Sequence, residues 1–92
     1  MSKFSEDPKE RAQKYIIALS KTFENLTVRD GDGVVSVKNI ARVTDSIRRY
    51  LDDARHYLTE DRPTTALTSI AYAEGLLDAL TFLQLAEPKE TQ

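Results

Sequence analysis

The sequence predicts an all-α fold, a three-helix up-and-down bundle, and three observations support this prediction. Apolar residues recur at steps of three and four in three separate segments. Residues that favour helix initiation precede each segment, and a short polar turn separates the second from the third. Hydrophobic residues make up 40% and charged residues 30% of the 92 positions, which is typical of a folded protein. We expect one domain over residues 1–92.

The composition also disfavours several classes of function. The chain has no cysteine, so a disulfide framework and a thiolate zinc site are excluded. Thirteen basic and fifteen acidic side chains give a net charge of −2, which disfavours binding to nucleic acid or to an anionic membrane. No apolar run approaches the ~20 residues that span a bilayer or resembles a signal peptide. We therefore expect a cytoplasmic protein without nucleic-acid or membrane binding.

The first helix is predicted at residues 8–25. Asp7 is placed to cap its backbone N–H groups, Pro8 suits the first helical position, and Glu10 completes a capping box. Its apolar stripe consists of Ala12, Tyr15, Ile16, Leu19, Phe23 and Leu26.

Residues 26–36 are predicted to form a loop. Two β-branched stretches flank the Asp-Gly-Asp-Gly sequence at 30–33 and would permit a small hairpin, but an isolated hairpin is marginal in water. The alternating acids also suggest a calcium loop. Counting Asp30 as the first EF-hand position puts Val35 at the required glycine and Ala41 at the bidentate acid, so this interpretation fails. We expect a plain turn and no metal site.

The second and third helices are predicted at residues 37–59 and 63–86, with a polar tail at 87–92. Ser36 is a good N-cap for the second helix, and the short turn before Pro63 predicts antiparallel neighbours. The apolar arc of the third helix consists of Ala66, Ile70, Ala73, Leu76, Leu77, Leu80 and Leu83. The residues expected to be most deeply buried are Ile16, Leu19, Phe23, Ile47, Leu51, Ile70, Leu77 and Leu80.

Arg49 and His56 lie two helical turns apart on the second helix. An arginine and a histidine at this spacing resemble the pair found in the helical HEPN ribonucleases, where both side chains meet RNA. Asp52 and Asp53 lie between them and would repel a phosphate backbone. An RNA-processing or nucleotide-handling enzyme that uses Arg49 and His56 is therefore the alternative hypothesis, and we expect no catalytic or cofactor-binding residue.

Gly75 is an unusual residue for the middle of a helix, because glycine there costs about 1 kcal/mol relative to alanine. Ala71, Gly75 and Ala79 are spaced four apart and form a smooth ridge, with Phe82 beside it. Such a ridge lets a second helix approach closely. Either the first helix or the loop covers it within the monomer, or it is an association face for a partner protein or a second copy.

The stretch from Tyr50 to Leu80 resembles an archaeal domain-of-unknown-function family, number 357. The matching features are Tyr50, the Asp53-Ala54 pair, Ala66-Leu67 and the helix from Tyr72 to Leu80, YAEGLLDAL. The resemblance implies a three-helix up-and-down bundle of archaeal, intracellular origin. It implies no activity and no functional residues. Together, these observations favour a non-enzymatic protein-interaction or assembly module that works through the ridge.

Overall fold

The computed structural model describes residues 7–29 and 35–88. Its helices are α1 (Pro8–Glu24), α2 (Val37–Thr59) and α3 (Pro63–Phe82), and its strands are β1 (Leu26–Val28) and β2 (Ala86–Pro88). The helices pack against one another, which confirms the all-α bundle. The contact between α2 and α3 is the most extensive, and α1 packs against both. None of the described helices is long and apolar enough to cross a membrane.

The connections set the direction of each helix. The turn between α2 and α3 is three residues long, so these two helices form an antiparallel hairpin. Strand β1 follows α1 and pairs with β2, which follows α3. The C-terminal ends of α1 and α3 therefore lie at the same end of the bundle, and these two helices run in the same direction.

The core lies between the three helices. Every residue that we expected to be deeply buried is buried, except Phe23, which packs against the core while partly exposed. Small side chains let the helices approach closely, since Ala12, Ala54, Ala66 and Ala73 are all fully buried. The side chains of the core are those of Ala12, Ile16, Leu19, Ile40, Ile47, Leu51, Ala54, Ala66, Ile70, Ala73, Leu77, Leu80, Leu85 and Ala86.

The predicted span of 63–86 for the third helix is wrong at its C-terminal end, because α3 stops at Phe82. The assignment of Leu83 to the core is wrong for the same reason. The helix ends one residue earlier, and the Leu83 side chain is 65% exposed. Leu85 and Ala86 are the last two residues of the predicted helix. In the structure they belong to the segment after α3, and both are buried in the core.

A Schellman motif terminates α3. The amides of Gln84 and Leu85 donate hydrogen bonds to the carbonyls of Thr81 (3.0 Å) and Leu80 (2.9 Å), the two bonds that define this motif. Gln84 adopts the left-handed conformation, with φ of 61°. Leu80 and Leu85 are both buried, which supplies the apolar contact that accompanies the motif.

The same device ends α2. The amides of Asp61 and Arg62 donate to the carbonyls of Leu58 (3.1 Å) and Tyr57 (2.8 Å), and Asp61 has φ of 58°. Asp61 therefore closes α2, and the N-cap position of α3 is held by Arg62 without a side-chain bond. By contrast, the N-cap prediction for α2 is confirmed, since the Ser36 hydroxyl accepts a bond from the Asn39 amide at 3.1 Å.

The predicted loop and the predicted polar tail both contribute to a small sheet. Within 26–36, residues Leu26–Val28 form β1, and within 87–92 the first two residues belong to β2. The strands are antiparallel, with Thr27 opposite Glu87, and Arg29 forms an ion pair with Glu87 at 3.1 Å. β1 thus pairs with β2, and the described part of the stretch after the turn, residues 35–37, does not pair with it as a hairpin would. The Asp-Gly-Asp-Gly turn at 30–33 lies outside the described residues.

Candidate functional site

One face of α3 is exposed and uncharged from the first turn of the helix to the last. Its members follow one another at steps of three and four, the spacing of a single helical stripe. All of them are exposed in the described chain. We call this surface the α3 face, and it consists of Thr64, Thr68, Ala71, Gly75, Ala79 and Phe82.

The composition of α3 differs from that of the other two helices. Apolar side chains occur around its whole circumference, and Glu74 and Asp78 are its only charged residues. α2, in contrast, separates a buried apolar stripe from a charged outer face. A helix that is apolar all round is normally covered on all sides. In α3 only the arc that faces α1 and α2 is covered.

Gly75 lies at the centre of the α3 face. A Cβ atom placed on Gly75 would meet open space, with nothing within 4 Å apart from the surrounding backbone of α3 itself. Among the described residues, α1 therefore does not cover the ridge at this point, and the monomer gives glycine no advantage over alanine. Ala71 and Ala79, one turn away on either side, are exposed as well.

Large apolar side chains border the small residues. The Phe82 side chain is 79% exposed, the highest value among the large hydrophobic residues of the described chain. Tyr72 is 60% exposed and stacks on Tyr50 of α2, with ring centroids 5.4 Å apart and planes 19° apart. Because its ring stacks on Tyr50, the exposed Tyr72 side chain is held in place by a contact within the same chain.

A groove between α1 and α3 adjoins the α3 face. It has a volume of about 490 Å³, and Ala71 belongs both to its wall and to the face. Its floor is mainly apolar, with Leu19 from α1 and Leu67 and Ile70 from α3. Arg11 and Tyr15 line the side that α1 provides, and the Arg11 guanidinium lies 5.8 Å from the centre of the Tyr15 ring. The groove could not be predicted from the sequence, because it depends on the position of α1 relative to α3.

The alternative site, Arg49 and His56, has the geometry of solvent-exposed helix residues. Arg49 donates to the hydroxyl of Ser46 at 3.3 Å, and His56 contacts the Glu60 carboxylate at 3.2 Å. Both partners belong to the same helix or its C-cap. Neither side chain lines the groove or the cleft between α1 and α2.

The cleft between α1 and α2 contains two arginines. The Arg55 side chain donates to the Ser20 hydroxyl at 2.7 Å, and the Arg48 guanidinium lies 5.4 Å from the centre of the Phe23 ring. Each arginine also pairs with an aspartate of α2 one turn before it, at 2.9 and 3.0 Å. Because each positive charge is already partnered by a carboxylate, these arginines make a poor anion site. No group of three potential metal ligands occurs in the described part of the chain.

Comparison with known proteins identifies the family. Searches of curated proteins and of solved structures found no match. The sequence profile of a family described as "Protein of unknown function (DUF357)" matches residues 14–86. The match extends beyond Tyr50–Leu80, where the sequence resemblance is most specific, and includes most of α1, both Schellman motifs and the first residue of β2. The chain therefore belongs to the DUF357 family.

Proposed function

We propose that this chain is a non-enzymatic protein-interaction module that binds its partner through the α3 face. The observation that carries the proposal is that apolar side chains occur around the whole circumference of α3 while one whole face of it is uncharged and open to solvent. Burying that face against another protein would remove apolar area from water, the main favourable term in protein association. The small residues at its centre would let the partner's backbone approach closely.

The distribution of charge supports the same function. The α3 face carries no charge, and Glu74 lies beside it on the border with the groove. Protein interfaces commonly have an uncharged centre, enriched in aromatic residues, and a polar rim. Phe82 would be the aromatic anchor, because its ring is exposed and an aromatic side chain, with only two χ angles, loses little conformational freedom on binding.

The experiment is a comparative co-purification from a lysate of the native organism. Tagged wild-type chain is compared with Gly75→Lys and Phe82→Ser, and captured proteins are quantified by mass spectrometry. Ile17→Ser is the matched control, since Ile17 is also a large exposed apolar residue (68%) but lies on α1 near α2. A double variant, Arg49→Ala with His56→Ala, tests the enzyme alternative.

We expect both α3-face variants to lose a defined protein by about tenfold or more, as for the loss of an interface anchor. The captured protein can be the untagged chain itself. The Ile17 control and the Arg49/His56 variant should retain it. If every variant captures the same proteins as the wild type, or if only the Arg49/His56 variant loses one, the proposal is wrong.

A further inference from the structure

We infer that the partner of the α3 face is a second copy of this chain, bound antiparallel about a two-fold axis at Gly75, with Phe82 of each copy seated in the α1–α3 groove of the other. This inference rests on the proposed function and specifies its partner. It uses three observations: the spacing of the small residues, the place of the groove along α3, and the charges at the two ends of the helix.

The spacing of the small residues is symmetric about Gly75. Ala71 and Ala79 each lie four residues from it. When two copies of α3 run antiparallel and cross at Gly75, each Ala71 meets an Ala79 and the two glycines face each other. A two-fold contact requires this kind of self-complementarity, and it closes after two copies, without fibre formation. The open space at Gly75 leaves room for the approach.

The antiparallel crossing at Gly75 also places Phe82 of one copy at the groove of the other copy. Phe82 is seven residues beyond Gly75, about 10.5 Å along the helix axis. The antiparallel partner therefore presents its residue 68 at that point, next to Leu67 and Ala71, which line the groove. Phe82 also lies on the correct side of the helix. Phe82 lies three helical turns after Ala71 and is rotated from it by only about 20° around the helix axis, so both side chains project from nearly the same side of α3. An antiparallel two-fold contact brings the α1 sides of both copies together.

The charges at the two ends of the contact are complementary. The last turn of α3 carries no basic residue, so no cation on that turn offsets the partial negative charge of the C-terminal helix end. Arg11 lies in the first turns of α1, and α1 runs in the same direction as α3. Arg11 is therefore at the N-terminal end of the groove. The antiparallel pair brings the C-terminal end of one α3 close to Arg11 of the other copy. The guanidinium would supply the cation that this helix end lacks.

The absence of cysteine from the natural sequence makes a direct test of register possible. Single cysteines are placed at Gly75, Ala71, Ala79 or, as a control, Ile17, and each purified chain is treated with a short bismaleimide crosslinker. Gly75→Cys, treated without a second variant, should form covalent dimers. Ala71→Cys and Ala79→Cys should each crosslink poorly, because their own copies lie more than two helical turns apart, but an equimolar mixture of the two should crosslink several-fold faster. Ile17→Cys should not form a covalent dimer.

Analytical ultracentrifugation tests the association itself, from low micromolar to millimolar concentration. Wild type and Ile17→Ser should dimerise, and Phe82→Ser should weaken the dimer by about tenfold or more. Gly75→Leu should abolish it while leaving the thermal midpoint of the dilute monomer unchanged or slightly higher, since the site is open in one copy. Comparing the strength of the dimer with the thermal midpoint of the monomer separates loss of the dimer contact from loss of folding.

The failure of this inference is distinguishable from failure of the proposed function. A wild-type chain that stays monomeric at every concentration overturns the second copy as partner. The proposed function would survive that result if the α3-face variants still lost a different protein in the lysate experiment. A dimer in which the cysteine at Ile17 crosslinks as well as the cysteine at Gly75 also overturns the inference, because it would place the contact on another face.

Discussion

Leu77 and Leu83 have the same side chain and lie on neighbouring turns, but they have opposite surroundings. Leu77 is 6% exposed within the core, whereas Leu83 is 65% exposed just after the end of α3. We expect Leu77→Ala to destabilise the protein by about 2–5 kcal/mol, since it removes buried methyl groups and leaves a cavity. Leu83→Ala should change the free energy of unfolding by less than about 0.5 kcal/mol. Denaturant unfolding of both variants checks the pair, and equal effects would contradict the assigned core.

Gln84 holds a backbone conformation that favours glycine, at φ of 61°. Replacing it with glycine removes the steric cost of the left-handed region but increases the entropy of the unfolded chain. We expect the first effect to win, so that Gln84→Gly stabilises the protein by about 0.5–1 kcal/mol. Gln84→Val should destabilise it, because a branched Cβ is poorly tolerated there. Thermal denaturation would refute this account if the two variants changed the midpoint in the same direction.

Asp61 and Gln84, the two residues in the left-handed conformation, hold positions whose conformation could not be predicted from the sequence. Helix ends are usually recognised by a glycine at the position after the C-cap, and here that position holds Asp61 in one case and Gln84 in the other. No local signal therefore marked the end of α3, and the apolar pattern continued through Leu83 and Leu85. Burial of Leu85 in the core shared by the three helices favours this conformation, and that burial is a tertiary effect.

At the scale of elements, α1 and α2 both have an N-cap residue whose side-chain oxygen could accept a hydrogen bond, but the two residues differ in what they do. The Ser36 hydroxyl accepts a hydrogen bond from the third residue of α2, whereas the Asp7 side chain makes no capping bond to α1. We expect Ser36→Ala to cost about 1 kcal/mol and Asp7→Ala only a few tenths. Urea denaturation of the two variants gives the comparison. A larger loss for Asp7→Ala would show that α1 depends on its cap more than the structure indicates.

The helices could be predicted from the sequence because each depends on local periodicity and on nearby start signals. The β1–β2 pair could not, since Leu26–Val28 and Ala86–Pro88 lie far apart in the chain and the second strand contains a glutamate and a proline. The same distinction applies to the candidate site. The ridge is a property of one helix and was visible in its spacing, but the groove requires two helices to be positioned relative to each other.

At the scale of the whole molecule, one sequence prediction concerns a segment that joins α1 to α2. The Asp-Gly-Asp-Gly turn at 30–33 lacks the ligand pattern of an EF-hand when Asp30 is counted as its first position, so we expect no calcium site there. Calcium should then leave the thermal midpoint unchanged, because only a ligand that prefers the native state raises it. Magnesium at the same ionic strength is the control. A rise specific to calcium would contradict the prediction.

The pairing of β1 with β2 has a consequence for the order in which the protein folds. Contacts within the α2–α3 hairpin are close in sequence, so they form at a low cost in loop entropy. The strands join positions 27 and 87, and closing so long a segment becomes favourable only once other contacts hold its ends together. We expect α2 and α3 to assemble first, and α1 to dock last as the strands pair. Under native conditions α1 and the strands should then open as one cooperative unit, and their amide hydrogens should exchange with solvent faster than those of α2 and α3.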